Sequence, residues 1–126
     1  MTKKTIATDL VPAAIGPYSQ AVSVAGAVYL SGQIPLDPKT MTLVEGGFEE
    51  QARQVLMNLS ALANASGGSL GQAVKLTVYV TDLANFDLLN KLMEEFIPQP
   101  FPARSAVQVS ALPKGAMVEI DAILSL

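Results

Sequence analysis

Residues 47–81 read GFEEQARQVLMNLSALANASGGSLGQAVKLTVYVT, and they contain a helix-like repeat followed by a strand-like one. After Gly47, apolar residues recur every three or four positions and form one stripe. The stripe consists of Phe48, Ala52, Val55, Leu56, Leu59, Leu62 and Ala63. Gly67 and Gly68 follow it, and glycine commonly ends a helix. From Val74 to Thr81, with Val74 on the apolar side, apolar and more polar residues alternate. This alternation predicts a strand with one buried face.

The segments on either side extend this order in both directions. The predicted strands cover residues 3–7, 19–24, 27–31, 74–81, 104–110 and 117–126. Gly26 supplies the tight turn of a hairpin between the second and third strands. Asp82 or Asn85 begins a second amphipathic helix, which Pro98 ends. This order predicts an α+β fold, in which a single mixed sheet carries two helices packed on one face.

The composition indicates how the chain is organised and what it binds. We expect its 126 residues to form one domain spanning residues 1–126. Half of the residues are apolar and only 15% are charged, so apolar surface remains after a core is filled. That surplus favours a homo-oligomer. The net charge of −3 argues against a nucleic-acid partner, because such proteins present a basic surface.

Several kinds of chemistry are missing from this composition. The sequence contains no cysteine, which excludes disulfides and thiol nucleophiles. It also contains no histidine, and a zinc site without Cys or His would need carboxylates alone, so we expect no metal. The first residues lack the apolar run of a secretory signal. No apolar stretch approaches the roughly 20 residues that span a bilayer. We therefore expect a cytoplasmic protein without a membrane partner.

Arg104 is the candidate for binding an acid. A guanidinium fits a carboxylate through two parallel hydrogen bonds. Prolines within residues 98–102 stiffen the approach to Arg104, because each proline fixes its own φ. In the predicted strand, Ser105, Val107 and Val109 form the apolar face, and Arg104 lies on the other one. The alternative that the sequence leaves open is a solvated arginine on an edge strand.

Glu119 is the candidate for activating a water molecule beside a bound acid. Glu119 and Asp121 point to one face of the last strand, opposite Val118 and Ile120. The two carboxylates lie about 7 Å apart along the strand. The alternative is a solvated strand face. Whether Arg104 and Glu119 share a face depends on a strand register that the sequence does not fix.

Other polar positions carry weaker signals. Tyr18 lies in a predicted loop, where it either lines a site or anchors the loop. Gly32, near a strand end, lets the backbone approach another group closely. Asn90 in the second helix fits an ordinary polar boundary position. Arg53 follows Glu49 by four residues in the first helix, which is a common solvent-side pair.

Separated motifs match one known family in the right order. They are AIGPYSQ at residues 14–20, LSGQIP at 30–35, QARQ at 51–54, FPARSAV at 101–107, LPK at 112–114 and VEI at 118–120. On these motifs the sequence resembles the reactive intermediate (imine) deaminase family, the RidA-type proteins, over essentially its whole length. The resemblance implies a chorismate-mutase-like fold assembled as a homotrimer, with a cleft between each pair of neighbouring subunits.

The resemblance also implies a reaction. Family members hydrolyse reactive imines and enamines, such as 2-aminoacrylate, 2-iminopropanoate and 2-iminobutanoate, to a 2-keto acid and ammonia. These intermediates are released by pyridoxal-phosphate enzymes, which the hydrolysis protects, and no cofactor is needed. Arg104 matches the arginine that holds the substrate carboxylate, and Glu119 matches the acid that handles the attacking water. The positions that match the cleft lining are Tyr18, Ser31, Gly32 and Asn90.

Two departures from the family pattern affect the expected cleft. Many members carry cysteine where this chain has Ala106, so only the backbone N–H of Ala106 is left to help bind a carboxylate. The segment before Phe101 is also slightly shorter than in typical members. The resemblance leaves other functions open: a non-catalytic trimer that binds 2-keto acids or related carboxylates, and a chaperone-like or RNA-acting role.

Overall fold

The computed structural model describes residues 2–126. Its strands are β1 (Lys4–Ile6), β2 (Ala21–Val24), β3 (Ala27–Gln33), β4 (Ala73–Val80), β5 (Ala103–Gln108) and β6 (Val118–Ser125). The α-helices in this part of the chain are α1 (Phe48–Ala65) and α2 (Phe86–Phe96). Short 3₁₀ helices cover Leu70–Gln72, Leu83–Asn85 and Pro113–Gly115. The predicted order of strands and helices is confirmed.

The strands form one mixed sheet in the order β1-β2-β3-β6-β4-β5. Strands β4 and β5 run parallel, whereas the other neighbouring pairs are antiparallel. A parallel pair needs a long crossover connection, and α2 provides it between β4 and β5. Both helices and one face of the sheet share a single apolar core. The predicted α+β architecture, with two helices on one face of a mixed sheet, is therefore confirmed.

Helix α1 begins and ends where the glycines predict. At its start the Gly47 N–H donates to the Glu50 side chain at 2.7 Å, which satisfies one of the free amides of the first turn. At its end Gly67 has φ +92°, a conformation that favours glycine. The apolar stripe between these ends is fully buried. Burying one such side chain stabilises the fold by about 1.5–3 kcal/mol.

The faces of two strands differ from the prediction. Val74 is 49% exposed, because the pairing of β4 with β6 shifts register between Ala73 and Lys75 and turns Val74 out of the core. In β5 the predicted faces are inverted. Val107 is 45% exposed, whereas Ala106 packs against the core. β5 is an edge strand paired only with β4, and this pairing, rather than its own alternation, decides which face it buries.

Buried amide side chains hold the loops that flank the sheet. The Gln20 side chain donates to the carbonyls of Thr8 and Pro12, at 3.1 and 2.9 Å, and accepts from the Thr8 N–H at 2.7 Å. Asn58 on α1 donates to the Leu36 carbonyl at 3.1 Å. A buried polar group is costly unless it is bonded, so these contacts fix the loop between β1 and β2 and the loop after β3.

Arg53 connects the two helices. Its Nε donates to Glu49 at 3.1 Å, as the spacing predicts, and its Nη1 donates to Glu95 of α2 at 2.8 Å. The contact with Glu95 cannot be predicted from spacing, because the two residues are far apart in sequence. Within residues 2–126, no helix is long and apolar enough to cross a membrane.

Candidate functional site

Arg104 lies on the helix side of β5 and reaches toward α2. It pairs with Leu76 of β4, whose side chain points into the core under the helices. Its Nη1 donates to the side-chain oxygen of Asn90 at 2.6 Å, and its guanidinium lies 5.5 Å from the centre of the Phe86 ring. These two contacts orient a charged side chain that remains exposed. Among the described residues, Arg104 forms no ion pair. Its charge is therefore available for a ligand anion.

A cleft of about 340 Å³ opens beside Arg104. We call it the arginine cleft; it is lined by Leu76, Asn90, Met93, Glu94, Ile97, Phe101, Pro102 and Arg104. Phe101 is 53% exposed and forms part of an apolar wall, opposite the polar end made by Asn90 and Arg104. The lining thus holds one cation, Arg104, one exposed carboxylate, Glu94, and an apolar wall. Because Glu94 forms no ion pair with Arg104, the guanidinium can still bind a small organic acid with an apolar side chain.

The backbone of β5 adds a hydrogen-bond donor on the same edge of the sheet. The Val109 N–H donates to the Val80 carbonyl at 2.8 Å, toward β4. Successive N–H groups of a strand alternate in direction, so the N–H of Ala106 points away from β4, to the free edge of β5. This orientation leaves it accessible to a carboxylate near Arg104.

Glu119 lies on the opposite face of the sheet. It pairs with Tyr79 of β4 and is half-buried, and Gly32 of β3 packs directly against its carboxylate. A β-carbon added at Gly32 would lie 3.0 Å from the carboxyl carbon of Glu119, which is too close without a shift. The glycine that we expect to permit a close approach therefore makes room for Glu119.

A second cleft, of about 430 Å³, contains Glu119. We call it the glutamate cleft; its lining includes Tyr18, Gln20, Gly32, Ile34, Leu36, Pro113, Lys114 and Glu119. Tyr18 is 53% exposed, and its hydroxyl accepts from the Ile15 N–H at 3.3 Å. Ser31 lies beside this cleft, but its hydroxyl donates to the Ser19 carbonyl at 2.6 Å and so supports the loop.

The electrostatics of the glutamate cleft favour a protonated carboxyl. Burial raises the pKa of Glu119 above its usual value, and the neighbouring charge of Asp121 raises it further. Burial also raises the pKa of Tyr79, and Asp121 adds to that effect. The Tyr79 hydroxyl donates to Asp121 at 3.1 Å. A carboxyl whose pKa is raised can both accept and return a proton nearer neutral pH than an ordinary glutamate.

The residues predicted from sequence thus form two groups. Asn90, Arg104 and Ala106 lie at the arginine cleft, and Tyr18, Gly32 and Glu119 meet at the glutamate cleft, with Ser31 beside it. Arg104 and Glu119 are separated by two strand spacings and three residue positions, or roughly 10 Å in each direction, and face opposite sides of the sheet. One small substrate cannot contact both groups within a single chain.

Sequence reasoning missed several neighbours of these residues. Phe86 and Met93 were predicted only as an apolar helix face, yet both contact the Arg104 guanidinium. Their spacing carries no signal of this, because apolar helix residues are usually core. Tyr79 was predicted only as an alternating strand residue, and its bond to Asp121 depends on the register of β4 against β6. Within the described chain, no group of acidic side chains could hold a metal ion.

The whole chain is similar to proteins of one family. The family model described as Endoribonuclease L-PSP matches residues 8–125. A Bos taurus protein named 2-iminobutanoate/2-iminopropanoate deaminase is 46% identical over 123 residues, covering 98% of this chain and 90% of the relative.

Solved structures give the same result. The crystal structure of RidA from the Antarctic bacterium Psychrobacter sp. PAMC 21119 matches with a TM-score of 0.94 and 53% identity, covering 98% of this chain and 99% of that one. E. coli TdcF, whose crystal structure has bound serine, matches with a TM-score of 0.90 and 40% identity, covering 98% of both chains.

Proposed function

The chain belongs to the Endoribonuclease L-PSP family, and we propose that it is a hydrolytic deaminase of reactive 2-imino acids and their enamine forms. Its RidA-type motifs support this proposal. Its substrates are 2-aminoacrylate, 2-iminopropanoate and 2-iminobutanoate, and its products are a 2-keto acid and ammonia. Removing these intermediates protects the pyridoxal-phosphate enzymes that release them. The reaction needs no cofactor, and we place it in the cytoplasm.

The observation that carries this proposal is the oriented guanidinium of Arg104, which forms no ion pair within residues 2–126, in a cleft with an apolar wall. A 2-imino acid has a carboxylate to match the guanidinium and a short apolar side chain to match the wall. Bidentate binding fixes the carboxylate in the plane of the guanidinium. The Ala106 N–H at the free edge of β5 is positioned to donate to the same carboxylate. Orientation of this kind lowers the barrier to addition at the imine carbon.

Glu119 performs the proton transfers of the proposed hydrolysis. As the oxygen of a water molecule bonds to the imine carbon, the carboxylate of Glu119 takes a proton from that water. Return of this proton to the imine nitrogen gives a neutral carbinolamine. Glu119 then carries the hydroxyl proton of the carbinolamine to its amino nitrogen, and ammonia leaves as the carbon–nitrogen bond breaks and the C=O bond of the 2-keto acid forms. Because burial and the charge of Asp121 raise its pKa, Glu119 can perform both transfers nearer neutral pH than an ordinary glutamate can.

Because the two clefts lie on opposite faces, we propose that each active site combines the arginine cleft of one copy with the glutamate cleft of another, in a homotrimer. The face of the sheet opposite the helices supports such an assembly. Tyr29 is 48% exposed and Val107 45% exposed on this face, and no helix of residues 2–126 covers it. Apolar side chains on an uncovered sheet face favour association. TdcF, in which serine is bound, shows that a relative accommodates a molecule of amino-acid size.

A coupled assay tests the function. A pyridoxal-dependent threonine or serine dehydratase generates the imine, and the release of 2-keto acid is followed with and without this protein. We expect faster release, and loss of the acceleration with Arg104→Ala. No acceleration by the wild-type chain would contradict the proposal. A non-catalytic binder of 2-keto acids would retain binding and be indifferent to Glu119→Gln.

The family description also names RNA cleavage. The net charge of −3 and the absence of histidine argue against it for this chain, because nucleic-acid binding relies on basic surfaces and ribonucleases commonly use histidine as acid and base. RNA incubated with nuclease-free protein should remain intact under the conditions of the imine assay. RNA cleavage by the wild-type protein that is lost in Glu119→Gln would support a ribonuclease function of this chain.

A further inference from the structure

The sheet face that carries Glu119 holds a second carboxylate with a different environment. Asp121 lies two residues further along β6, and β4 runs antiparallel beside it, with Tyr79 opposite Glu119 and Thr77 opposite Asp121. The Tyr79 side chain leans away from its direct neighbour and donates its hydroxyl to the diagonal Asp121, at 3.1 Å. Among the described residues, the Glu119 side chain accepts no hydrogen bond. The carboxylate of Asp121 is therefore held by a hydrogen-bond donor, whereas that of Glu119 is not.

The surroundings of Glu119 disfavour its charged form. A hydrogen bond to a carboxylate favours its charged form, whereas burial without a donor disfavours it. The charge of Asp121 disfavours a second negative charge on Glu119, in addition to the effect of burial.

We propose that Asp121, oriented by the Tyr79 hydroxyl, is a positioning residue that holds a negative charge beside Glu119 and so sets the pH range in which Glu119 exchanges protons during the reaction. The inference rests on the proposed function, and it adds a residue outside the motifs that carry the family resemblance. Asp121 contacts no substrate in this arrangement and acts only through Glu119.

Other charged or titratable groups near Glu119 do not replace this role. Tyr18 and Lys114 line the same cleft, on the loop before β2 and the turn before β6. Lys75 of β4 faces the same side but is further along the strand, where it donates to Ser105 at 3.2 Å. In the proposed assembly, Arg104 of a second copy also approaches Glu119. That effect is the same in wild type and variants, so a comparison between them isolates Asp121.

The decisive experiment is a titration that requires no turnover. In protein labelled with ¹³C at the glutamate carboxyl carbons, the resonance of Glu119 is assigned by its absence in Glu119→Gln and followed against pH. Asp121→Asn keeps the shape of the side chain and an oxygen that can accept from Tyr79, but removes the charge. We expect the Glu119 midpoint to move to lower pH. Asp9→Asn, which removes the same charge from an exposed loop, should leave the midpoint in place.

The rate should follow the titration. If deprotonated Glu119 activates water, the acidic limb of the kcat/KM profile moves to lower pH in Asp121→Asn, so that the rate on that limb rises by the factor by which the acid dissociation constant of Glu119 increases. Normal turnover with an unmoved midpoint would overturn the role of Asp121 and leave the deaminase function intact. If the protein has no deaminase activity, the titration alone still decides whether Asp121 controls the protonation of Glu119.

A double-mutant cycle tests the role of Tyr79. If Tyr79 acts through Asp121, Tyr79→Phe shifts the Glu119 midpoint in the wild-type background and has no effect in the Asp121→Asn background. Equal shifts in both backgrounds would show that Tyr79 acts on Glu119 directly, and would overturn the proposed orientation of Asp121. Thermal unfolding of each variant verifies that the comparison is made between folded proteins.

Discussion

Arg104 and Glu119 lie on opposite faces of one sheet, Arg104 against α2 and Glu119 against Gly32. The arrangement separates the group that would hold the substrate carboxylate from the group that would move its protons. A site that uses both must be assembled from two copies of the chain.

Mixing two inactive variants tests that assembly. Arg104→Ala removes one half of each proposed site and Glu119→Gln removes the other, so each variant alone should be inactive. After unfolding and refolding as an equal mixture, about a quarter of the clefts should combine an intact Arg104 with an intact Glu119, if subunits assort at random around a three-fold axis. Recovery of activity in proportion is expected. If the mixture stays inactive while each variant folds and assembles, Arg104 and Glu119 do not act together in one site, and the proposed assembly is wrong.

Substitution of Arg104 should reduce the rate without unfolding the protein, because the side chain is exposed. Loss of the charge-assisted contact in Arg104→Ala costs about 2–4 kcal/mol, or roughly 30- to 1,000-fold in kcat/KM. Arg104→Lys should recover little, because an ammonium cannot reproduce the planar fork that Asn90 and Phe86 orient. Arg53→Ala is the matched control, since Arg53 lines neither cleft. Near-normal activity of Arg104→Ala would refute the assignment.

Glu119→Gln should separate binding from turnover. We expect turnover to fall by about 100- to 10,000-fold, the usual cost of losing a general base. Binding of the product 2-oxobutanoate, measured by calorimetry, should persist because Arg104 is unchanged. Glu45→Gln, at an exposed position, serves as the control. A Glu119→Gln variant with wild-type turnover would mean that water adds without a side-chain base.

Gly32→Ala should impair catalysis more than stability. The added β-carbon would lie 3.0 Å from the carboxyl carbon of Glu119, and the flexible end of that side chain can move away. Displacing a catalytic group by about 1 Å can cost about 100-fold in rate. In Gly47→Ala, by contrast, the added carbon would meet only Glu50, at an ordinary 3.8 Å, so activity should be retained. The two variants are compared by kcat and by thermal unfolding, and equal activities would contradict the packing argument.

The contact between Arg53 and Glu95 should make stability depend on acidity. The bond to Arg53 lowers the pKa of Glu95 below its value in the unfolded chain. Charged Glu95 therefore stabilises the folded state at pH values above 4.5, its pKa in the unfolded chain. This stabilisation is lost as the pH falls through the lower pKa that Glu95 has in the folded protein. Glu95→Gln should thus lower the free energy of unfolding slightly at pH 7 and have no effect near pH 2, in denaturant titrations at both values. Both side chains are well exposed, so the effect should be small and reduced by salt.

The sequence predicts features that depend on local periodicity or on chemical identity. The stripe from Phe48 to Ala63 requires a helix, and Gly47 and Gly67 mark its ends. The chemical identities of Arg104 and Glu119 likewise restrict the reactions available. The sheet face that each side chain occupies cannot be predicted in this way, because in β5 it follows from the pairing with β4.

The residues of β5 show why the prediction of its faces is wrong. Ser105 and Val107 alternate with Arg104 and Ala106, and both sets contain a polar and an apolar residue, so hydrophobicity does not choose between them. The parallel register with β4 places Ala106 beside the buried Val78 and decides the matter. Similarly, the contact between Tyr79 and Asp121 follows from the β4–β6 register, which no local pattern encodes.

The separation of the arginine cleft from the glutamate cleft has a consequence for enzyme kinetics. If each site is completed by a second copy, the number of complete sites follows the law of mass action. The activity then depends on the total concentration of protein as well as on that of the substrate. Turnover per chain should then fall when the protein is diluted below the dissociation constant of the assembly, while each chain keeps its secondary structure. Each half of the proposed site can also change by substitution without altering the other, because Arg104 and Glu119 lie on opposite faces of the sheet.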